Sequence, residues 1–296
     1  SMIGQIIGAV TNIILDPIMI FGLLGCPKLG VAGAAYATVI GQILAMVVDL
    51  TFNLKRNKEI SLKLKGFRPS RKVIGEIYAV GFPAILNTTL FSVFSYGMNR
   101  ILIGFTTAAT AVMGVYFKLQ SFIFMPVFGL TSGMIPIIAY NFGAKRPDRI
   151  RKTVRLGLMY AVGIMLIGAL SFHFFPRQIL SLFLEKPETF AIGVNALRII
   201  SYGFVFAAFV FVGMAFFQAL GHGLHALILQ SVRQLAGTLP IAYLLSLTGN
   251  VNLVWWALPA AELMTAVTAV LLYSAINKKQ LSTLDENCDA VMEKEQ

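Results

Sequence analysis

Apolar residues occur in eight long runs separated by short polar segments. The runs extend over about residues 3–24, 31–52, 77–103, 108–138, 156–175, 190–220, 224–247 and 251–276. A helix that crosses a bilayer needs about 20 mostly apolar residues. The pattern therefore predicts an all-α polytopic membrane protein with about eight transmembrane helices.

The composition agrees with a membrane location. The 296 residues are 57% hydrophobic and only 12% charged, whereas soluble domains carry about 25% charged residues. This balance excludes a soluble enzyme, a disordered chain and a coiled coil. The net charge of +11 comes from 24 basic and 13 acidic residues. Because the basic residues are concentrated in short segments between apolar runs, we expect them to set topology rather than to bind nucleic acid.

The basic segments also predict the orientation in the membrane. They follow the second, fourth and eighth apolar runs, at 55–72, 145–155 and Lys278–Lys279. Eight spans place these three segments on one side, which the positive-inside rule assigns to the cytoplasm. We therefore expect a multi-pass protein of the plasma membrane with both termini of this chain in the cytoplasm.

A weak internal repeat suggests how the runs are grouped. A shift of 223 residues places Pro17 on Pro240, and Lys55–Arg56 on Lys278–Lys279. Parallel repeats of this kind are common in secondary transporters. The repeat predicts that two helices end a first lobe, whose other four helices are absent from this sequence, and that six helices form a second lobe. The predicted segments are an N-lobe helix pair at 1–54, a basic cytoplasmic linker with an interfacial helix (70–78) at 55–76, a C-lobe at 77–277 and a disordered tail at 278–296.

Two carboxylates within apolar runs are candidates for coupling-ion binding, because an ionisable residue is costly in a bilayer. Asp16 precedes Pro17, so it either caps amides that the proline frees or binds a cation or proton at a helix break. Glu262 either exchanges a proton or forms an interhelical ion pair with Arg233 or Lys118.

A second group of polar residues within apolar runs predicts the lining of a substrate cavity. Our candidates are Asn87, Lys118, Gln120 and Gln218. The segments at 81–83 and 125–126, and Pro136, predict unwound backbone near this cavity. The sequence contains no phosphate-binding glycine loop, no His-Glu-x-x-His motif and no Gly-x-Ser-x-Gly turn, and its two cysteines have no metal-ligand spacing. We therefore expect no enzyme activity, no catalytic residue and no metal site, and we expect transport to be driven by an ion gradient.

Five strings, in order, resemble the multidrug and toxic compound extrusion (MATE) family. They are Asn12-Ile-Ile-Leu-Asp-Pro17, Gly30-Val-Ala-Gly-Ala-Ala-Tyr-Ala-Thr-Val-Ile-Gly-Gln42, Gly81-Phe-Pro-Ala84, Pro136-Ile-Ile-Ala-Tyr-Asn-Phe-Gly-Ala144 and Phe217-Gln-Ala-Leu-Gly221. The resemblance covers about residues 1–280. It implies a transporter of twelve helices in two lobes with a cavity between them, of which this chain would hold the last two N-lobe helices and the C-lobe.

The resemblance also implies a function and shows where this chain departs from the family. Such proteins exchange Na⁺ or H⁺ for organic, often cationic, drugs. Their coupling carboxylate often lies on the first N-lobe helix, and one branch uses acids on the first and fourth C-lobe helices. Here the segments 81–100 and 193–221 contain no Asp or Glu. Asp16 and Glu262 therefore remain the candidates.

The sequence thus predicts a secondary active antiporter that exports hydrophobic cationic drugs or toxins in exchange for Na⁺ or H⁺. Its expected partners are small-molecule organic cations and the lipid bilayer. We expect a monomer with no cofactor other than the coupling cation. The alternative is a flippase of related architecture for lipids or lipid-linked oligosaccharides, whose anionic substrate would require several exposed cations in the cavity.

Overall fold

A computed structural model describes residues 2–56, 70–184 and 187–277, which are nearly all helical. The predicted tail at 278–296 and most of the predicted linker lie outside these residues. The chain forms two compact units that divide after Arg71. This point lies inside the segment predicted as the linker; the assignment of the units to two lobes stays a prediction.

The first unit is a pair of helices, α1 (Met2–Phe21) and α2 (Val31–Arg56), joined by a short 3₁₀ turn (Leu23–Gly25). Glycines allow the two backbones to approach closely. A Cβ atom added to Gly8 would lie 3.0 Å from the carbonyl oxygen of Gly41, and one added to Gly41 would lie 2.9 Å from the carbonyl oxygen of Gly8. Small residues at four-residue spacing favour this type of packing between membrane helices.

The second unit contains the remaining helices. They are α3 (Arg71–Ile103), α4 (Thr107–Gly143), α5 (Pro147–Phe174), α6 (Pro176–Ser181), α7 (Pro187–Ser201), α8 (Phe204–Ala219), α9 (Gly223–Ser231), a π-helix (Val232–Thr238), α10 (Leu239–Ser246), α11 (Val251–Val254) and α12 (Ala257–Ile276). The side chain of Thr106 caps α4 by accepting hydrogen bonds from the amides of Ala108 (2.9 Å) and Ala109 (3.3 Å).

The core of the second unit surrounds α8, which packs against α4, α5, α9 and α12. Three phenylalanines of α8, Phe204, Phe216 and Phe217, are almost fully buried. Phe204 contacts Phe124 of α4 and Phe172 of α5 with ring centroids 5.4 and 5.2 Å apart. The apolar sequence of α8 therefore makes it the central helix, and the neighbouring helices leave a cavity along one side of it.

The helices confirm a multi-pass membrane protein. Within the described residues, five helical segments are long and apolar enough to cross a bilayer: Ile3–Phe21, Val31–Lys55, Thr107–Gly143, Pro147–Phe174 and Val251–Ile276. A sixth span is formed if α7 and α8, which are bent by 53°, are counted together. The predicted count of eight is not established by these helices.

Two local predictions differ from the structure. The segment 70–78 is not a separate interfacial helix, because α3 begins at Arg71 and continues without interruption to Ile103. The backbone is also helical at 81–83, and α4 continues through Pro126 and Pro136. Membrane helices tolerate proline because neighbouring groups satisfy the carbonyls that it leaves free.

Candidate functional site

The second unit contains a partly open cavity of about 590 Å³ between α3, α4, α8, α9, the π-helix and α12. One wall is aromatic and consists mainly of Phe91, Phe94, Phe117, Phe124, Phe128 and Phe211. These rings meet edge to face, for example Phe128 and Phe211 with centroids 4.9 Å apart, an arrangement that aromatic pairs favour. The polar part of the lining includes Gln120, Gln218, Gln230, Gln234, Arg233 and Glu262.

An ion pair between Arg233 and Glu262 lies in the cavity wall. Nε of Arg233 donates to Oε1 of Glu262 at 2.7 Å, and Nη2 donates to the same oxygen at 2.5 Å. The two side chains are 14% and 12% exposed. The guanidinium also lies 5.1 Å from the centre of the Phe211 ring, a distance at which cation–π attraction operates. Of the two partners that the sequence offered Glu262, the structure selects Arg233.

The π-helix places Arg233 and Gln234 at this wall. The amide of Leu239 bonds to the carbonyl of Gln234, five residues back, which is the spacing of a π-helix. The next residue, Pro240, has no N–H to donate. The hydroxyl of Thr238 donates to the carbonyl of Arg233 at 2.7 Å. Gly237 lets the widened turn approach α12, since a Cβ atom there would lie 2.9 Å from Cβ of Ala261. Short π-helical segments of this kind, called π-bulges, occur frequently at functional sites.

Three acceptor oxygens of this wall are buried and have no hydrogen-bond partner among the described residues. They are Oε2 of Glu262, Oε1 of Gln230 and Oε1 of Gln234. Gln234 is only 4% exposed. A buried acceptor without a partner is costly, so these three oxygens form an unsatisfied polar patch behind the surface of an otherwise largely apolar wall.

The predicted cavity residues have different positions. Gln120 and Gln218 line the cavity. Lys118 is exposed and is not part of the lining, because its position on α4 is rotated by about 100° from that of Phe117. Asn87 belongs to α3, but its side chain lies outside the described part of the chain. The binding roles of all four stay predictions.

The two predicted coupling carboxylates lie in different units. Glu262 is in the cavity, whereas Asp16 belongs to α1, which stays helical through Pro17, so neither the predicted helix break nor a new helix start for Asp16 to cap is present. The Asn12 amide, oriented to satisfy both its atoms, donates to Oδ2 of Asp16 at 2.9 Å and accepts from the Thr38 backbone amide at 3.2 Å. Asp16 therefore takes part in a polar contact between α1 and α2.

Gln230 and Gln234 belong to the polar residues within apolar runs but were not among the four chosen cavity candidates. The signal was present in the sequence: two glutamines four residues apart, with Arg233 between them, in an otherwise apolar run. Residues four apart share one helix face. What the sequence did not show is that this face turns toward Glu262 rather than toward lipid.

Comparisons with known proteins agree on the family. A family model described as MatE matches residues 83–244, more than half of the chain. The multidrug export protein MepA of Staphylococcus saprophyticus is 30% identical over 277 residues, which cover 92% of this chain and 59% of that protein. MepA of Staphylococcus aureus strain NCTC 8325 is 30% identical over 278 residues, with the same coverage. The chain thus spans about three fifths of the length of these relatives.

Solved structures show the same fold. A multidrug resistance MATE family transporter of the MOP superfamily, in an outward-facing conformation, superposes with a TM-score of 0.83 at 24% identity, covering 96% of this chain and 63% of that one. A MOP superfamily transporter from Pyrococcus furiosus gives a TM-score of 0.84 with the same identity and coverage. The match of the family model over most of the second unit, together with this fold, shows that the chain belongs to the MatE family, the MATE family that its sequence strings resemble.

Proposed function

We propose that this protein is a secondary active antiporter that exports hydrophobic cationic drugs or toxins in exchange for Na⁺ or H⁺. The family and the export function named for the MepA relatives support drug transport. The observation that carries the proposal is the cavity with its aromatic wall and, among the lining residues that the structure describes, one carboxylate, that of Glu262.

The cavity is suited to such substrates in size and chemistry. Its volume of about 590 Å³ lies within the range of about 300–1,000 Å³ that holds drug-sized molecules. Aromatic faces attract cations, and Glu262 supplies a negative charge that is only 12% exposed. A hydrophobic cation therefore finds an apolar aromatic wall, and it gains Glu262 as a counter-charge only where it displaces Arg233 from that carboxylate.

Coupling to an ion gradient follows from competition for a carboxylate. A carboxylate that holds a proton or Na⁺ attracts a cationic substrate less strongly than the free carboxylate, so the binding of one promotes the release of the other. Glu262 is our first candidate because it lies in the cavity wall. Asp16 is the second, with one carboxylate oxygen, Oδ1, that is buried and has no partner among the described residues.

A flippase for anionic lipids is not favoured. Arg233 is the single cationic residue in the lining of the described cavity, and Glu262 neutralises it. The several exposed cations that an anionic lipid substrate requires are therefore not present in the described lining. We further propose a plasma-membrane location with both termini of this chain in the cytoplasm, and a monomeric transporter that needs no cofactor besides the coupling cation.

Dye transport in proteoliposomes tests the proposal. We expect a hydrophobic cationic dye to move across the membrane when a Na⁺ or H⁺ gradient is imposed, and only one of the two gradients to drive it. Glu262→Gln should reduce this transport at least tenfold because the substitution removes the charge for which ion and substrate compete. The exposed acid Glu188 of α7 provides the matched control, Glu188→Gln, which should transport normally.

Two results would contradict this function. Gradient-driven transport that persists in Glu262→Gln and in Asp16→Asn would exclude both carboxylates from coupling. Absence of dye transport with either gradient, in protein that is folded and correctly inserted, would exclude drug antiport by this chain.

A further inference from the structure

We propose that three exposed cations at the start of α5, Arg149, Lys152 and Arg155, bind the headgroup of an anionic phospholipid. We call these three residues the outward cations. None of them lines the described cavity, so this site is separate from the proposed transport site and does not depend on the transported substrate or the coupling ion.

The outward cations continue the face of α5 that points away from the core of the second unit. The buried residues of α5 include Ile150, Gly157, Ala161, Met165 and Phe172. The opposite side is exposed, and after the last outward cation it is apolar, with Leu156, Met159, Ile167, Leu170 and Phe174. The outward cations are exposed as well, and they precede these apolar residues at the three- and four-residue spacing of one helix face. A lipid along this face would place its acyl chains beside the apolar side chains and its headgroup beside the cations.

The length of α5 places the outward cations at the level of the lipid headgroups. The helix has 28 residues and is therefore about 42 Å long at 1.5 Å per residue. Its exposed apolar part, 156–174, accounts for about 28 Å of this length, which matches a hydrocarbon core of about 30 Å. Side chains of a helix tilt toward its N-terminus, so the cations that precede Leu156 extend away from the hydrocarbon and toward the phosphate layer.

The described residues leave the charge of this face without a counter-charge. The segment 145–155 contains six basic residues and one acid, Asp148. Asp148 contacts Arg151, with 3.8 Å between Oδ1 and Nη1, and Nε of Arg151 donates to Oδ1 of Asn277 at the end of α12 at 3.2 Å. Arg151 therefore connects α5 to α12. The outward cations form no ion pair with any described residue, and an anionic headgroup would supply the missing charge.

The turn before α5 fixes the position of this face and adds a further cation. The amide of Arg146 donates to the carbonyl of Asn141 at 2.9 Å, and the amide of Lys145 donates to the carbonyl of Phe142 at 3.1 Å. These two bonds form a Schellman motif, in which the residue with positive φ is usually glycine. Here that residue is Lys145, with φ of 54°. The turn thus has a lysine at a position that favours glycine, directly before the outward cations.

Topology alone does not require this arrangement. The positive-inside rule depends on the number of Lys and Arg residues in a short segment, and it does not depend on the helix face that they occupy. Clusters of basic residues next to a membrane helix attract anionic lipids, and each cation near the surface raises the affinity about fivefold. The position of the outward cations in line with a lipid-facing apolar surface therefore favours lipid binding.

Two phospholipids that differ only in the headgroup test the proposal. Phosphatidylglycerol is anionic, and phosphatidylcholine with the same acyl chains has no net charge. Native mass spectrometry of the purified full chain, titrated with each lipid in detergent, measures the affinity of the first bound lipid. We expect phosphatidylglycerol to bind about tenfold to a hundredfold more tightly, because three cations each contribute about fivefold and Asp148 on the same helix offsets part of the gain.

Two triple variants test the outward cations directly. Arg149→Gln/Lys152→Gln/Arg155→Gln should reduce the preference for phosphatidylglycerol to less than about threefold, because no cation of the face remains. Arg149→Lys/Lys152→Arg/Arg155→Lys keeps the charges and should keep the preference. The measurement uses purified protein in detergent because positive charges also govern insertion into the membrane. Thermal unfolding shows that each variant is folded.

A third variant controls for the loss of net charge. Lys28→Gln/Arg177→Gln/Arg198→Gln removes three charges from exposed positions outside α5. It should bind phosphatidylglycerol with the preference of the unchanged chain. An equal loss of preference in this control would show that net charge alone attracts the lipid, and the proposed site would be wrong.

Three further results would overturn the proposal. The first is equal affinity of the unchanged chain for the two lipids. The second is a preference that persists in the folded variant without the outward cations, because the lipid would then bind elsewhere. The third concerns the five acids between Asp285 and Glu295, which lie outside the described residues. If phosphatidylglycerol is preferred only after these acids are changed to amides, this acidic segment occupies the face in the unchanged chain in place of a lipid.

Discussion

Two helix pairs of this chain carry a proline at corresponding positions, and their interiors are built differently. The first pair is α1 and α2, with Pro17. The second pair is the helical segment 223–246, with Pro240, and the segment 251–276. In the first pair the backbones touch through Gly8 and Gly41. In the second pair the two segments are joined by an ion pair at the cavity wall.

The two prolines, Pro17 and Pro240, have different effects on the backbone before them. α1 continues as an α-helix through Pro17, whereas the residues before Pro240 widen into a π-helix. The difference lies in the neighbours: Thr238 bonds to the carbonyl of Arg233, and Arg233 is held by Glu262 on the opposite helix. A proline therefore permits a distortion, and the interactions of the preceding turn determine whether the distortion forms.

The largest expected effect comes from breaking the ion pair of the second pair. Arg233→Met and Glu262→Met should each lower the free energy of unfolding by about 3–5 kcal/mol, because each leaves one charge buried without its partner. The double variant Arg233→Met/Glu262→Met should recover most of this loss, since no unpaired charge remains. Equilibrium unfolding in mixed micelles with increasing SDS measures all three.

A control separates this effect from the loss of any arginine. Arg198 of α7 is exposed, so Arg198→Met should change the stability by less than about 1 kcal/mol. If the double variant is destabilised by the sum of the two single variants, the residues act independently. The ion pair would then contribute no coupling between the two segments of the second pair.

An intermediate effect is expected where the backbones of the first pair touch. Gly41→Ala would place a Cβ atom 2.9 Å from the carbonyl oxygen of Gly8. This distance is too short for a carbon–oxygen contact, so α1 and α2 would have to move apart. We expect a loss of about 1–3 kcal/mol in the free energy of unfolding, the usual cost of overpacking. The same SDS titration measures it.

The control for Gly41 is a glycine that has space around it. A Cβ atom added to Gly163, in the interior of α5, meets nothing within 4 Å. Gly163→Ala should therefore stabilise the protein by up to about 1 kcal/mol, because alanine favours the helix. If Gly41→Ala leaves the free energy of unfolding unchanged, α1 and α2 can separate without cost, and the contrast with the second pair is lost.

Prediction from sequence worked for features that depend on local residues and was limited for features that depend on packing. The apolar runs predicted five membrane-spanning segments, or six if α7 and α8 are counted together, because the requirement for 20 apolar residues acts locally. The predicted count of eight is not established. The motifs predicted the family, which the comparisons confirm. In contrast, the sequence left the partner of Glu262 open between Arg233 and Lys118. That choice depends on the rotation of each helix about its axis, which results from packing over the whole unit.

Helix boundaries near proline and glycine were less predictable for a related reason. The segment 70–78 was expected to be a separate helix, yet α3 continues from Arg71 through residues 81–83. Helix breaks depend on whether neighbouring groups satisfy the freed carbonyls. Asp16 shows the same limitation. One of its two predicted roles was to cap amides freed by Pro17, but α1 continues through Pro17, and Asp16 contacts Asn12 of the same helix, which in turn contacts Thr38 of α2.

The smallest expected effect concerns this polar network in the first pair. Thr38 of α2 contacts the side chain of Asn12 on α1 at 3.1 Å through its hydroxyl. Thr38→Val removes the hydroxyl and keeps the shape, so we expect a loss of about 0.6 kcal/mol, the average for a hydrogen bond between membrane helices. Thr51 of α2 is the matched control, since its hydroxyl donates to Val47 of its own helix at 2.7 Å. If Thr38→Val costs no more than Thr51→Val in the SDS titration, the Thr38 hydroxyl adds nothing to the first pair, and the bond from the Thr38 backbone amide to Asn12 remains with the glycine contacts to hold the two helices together.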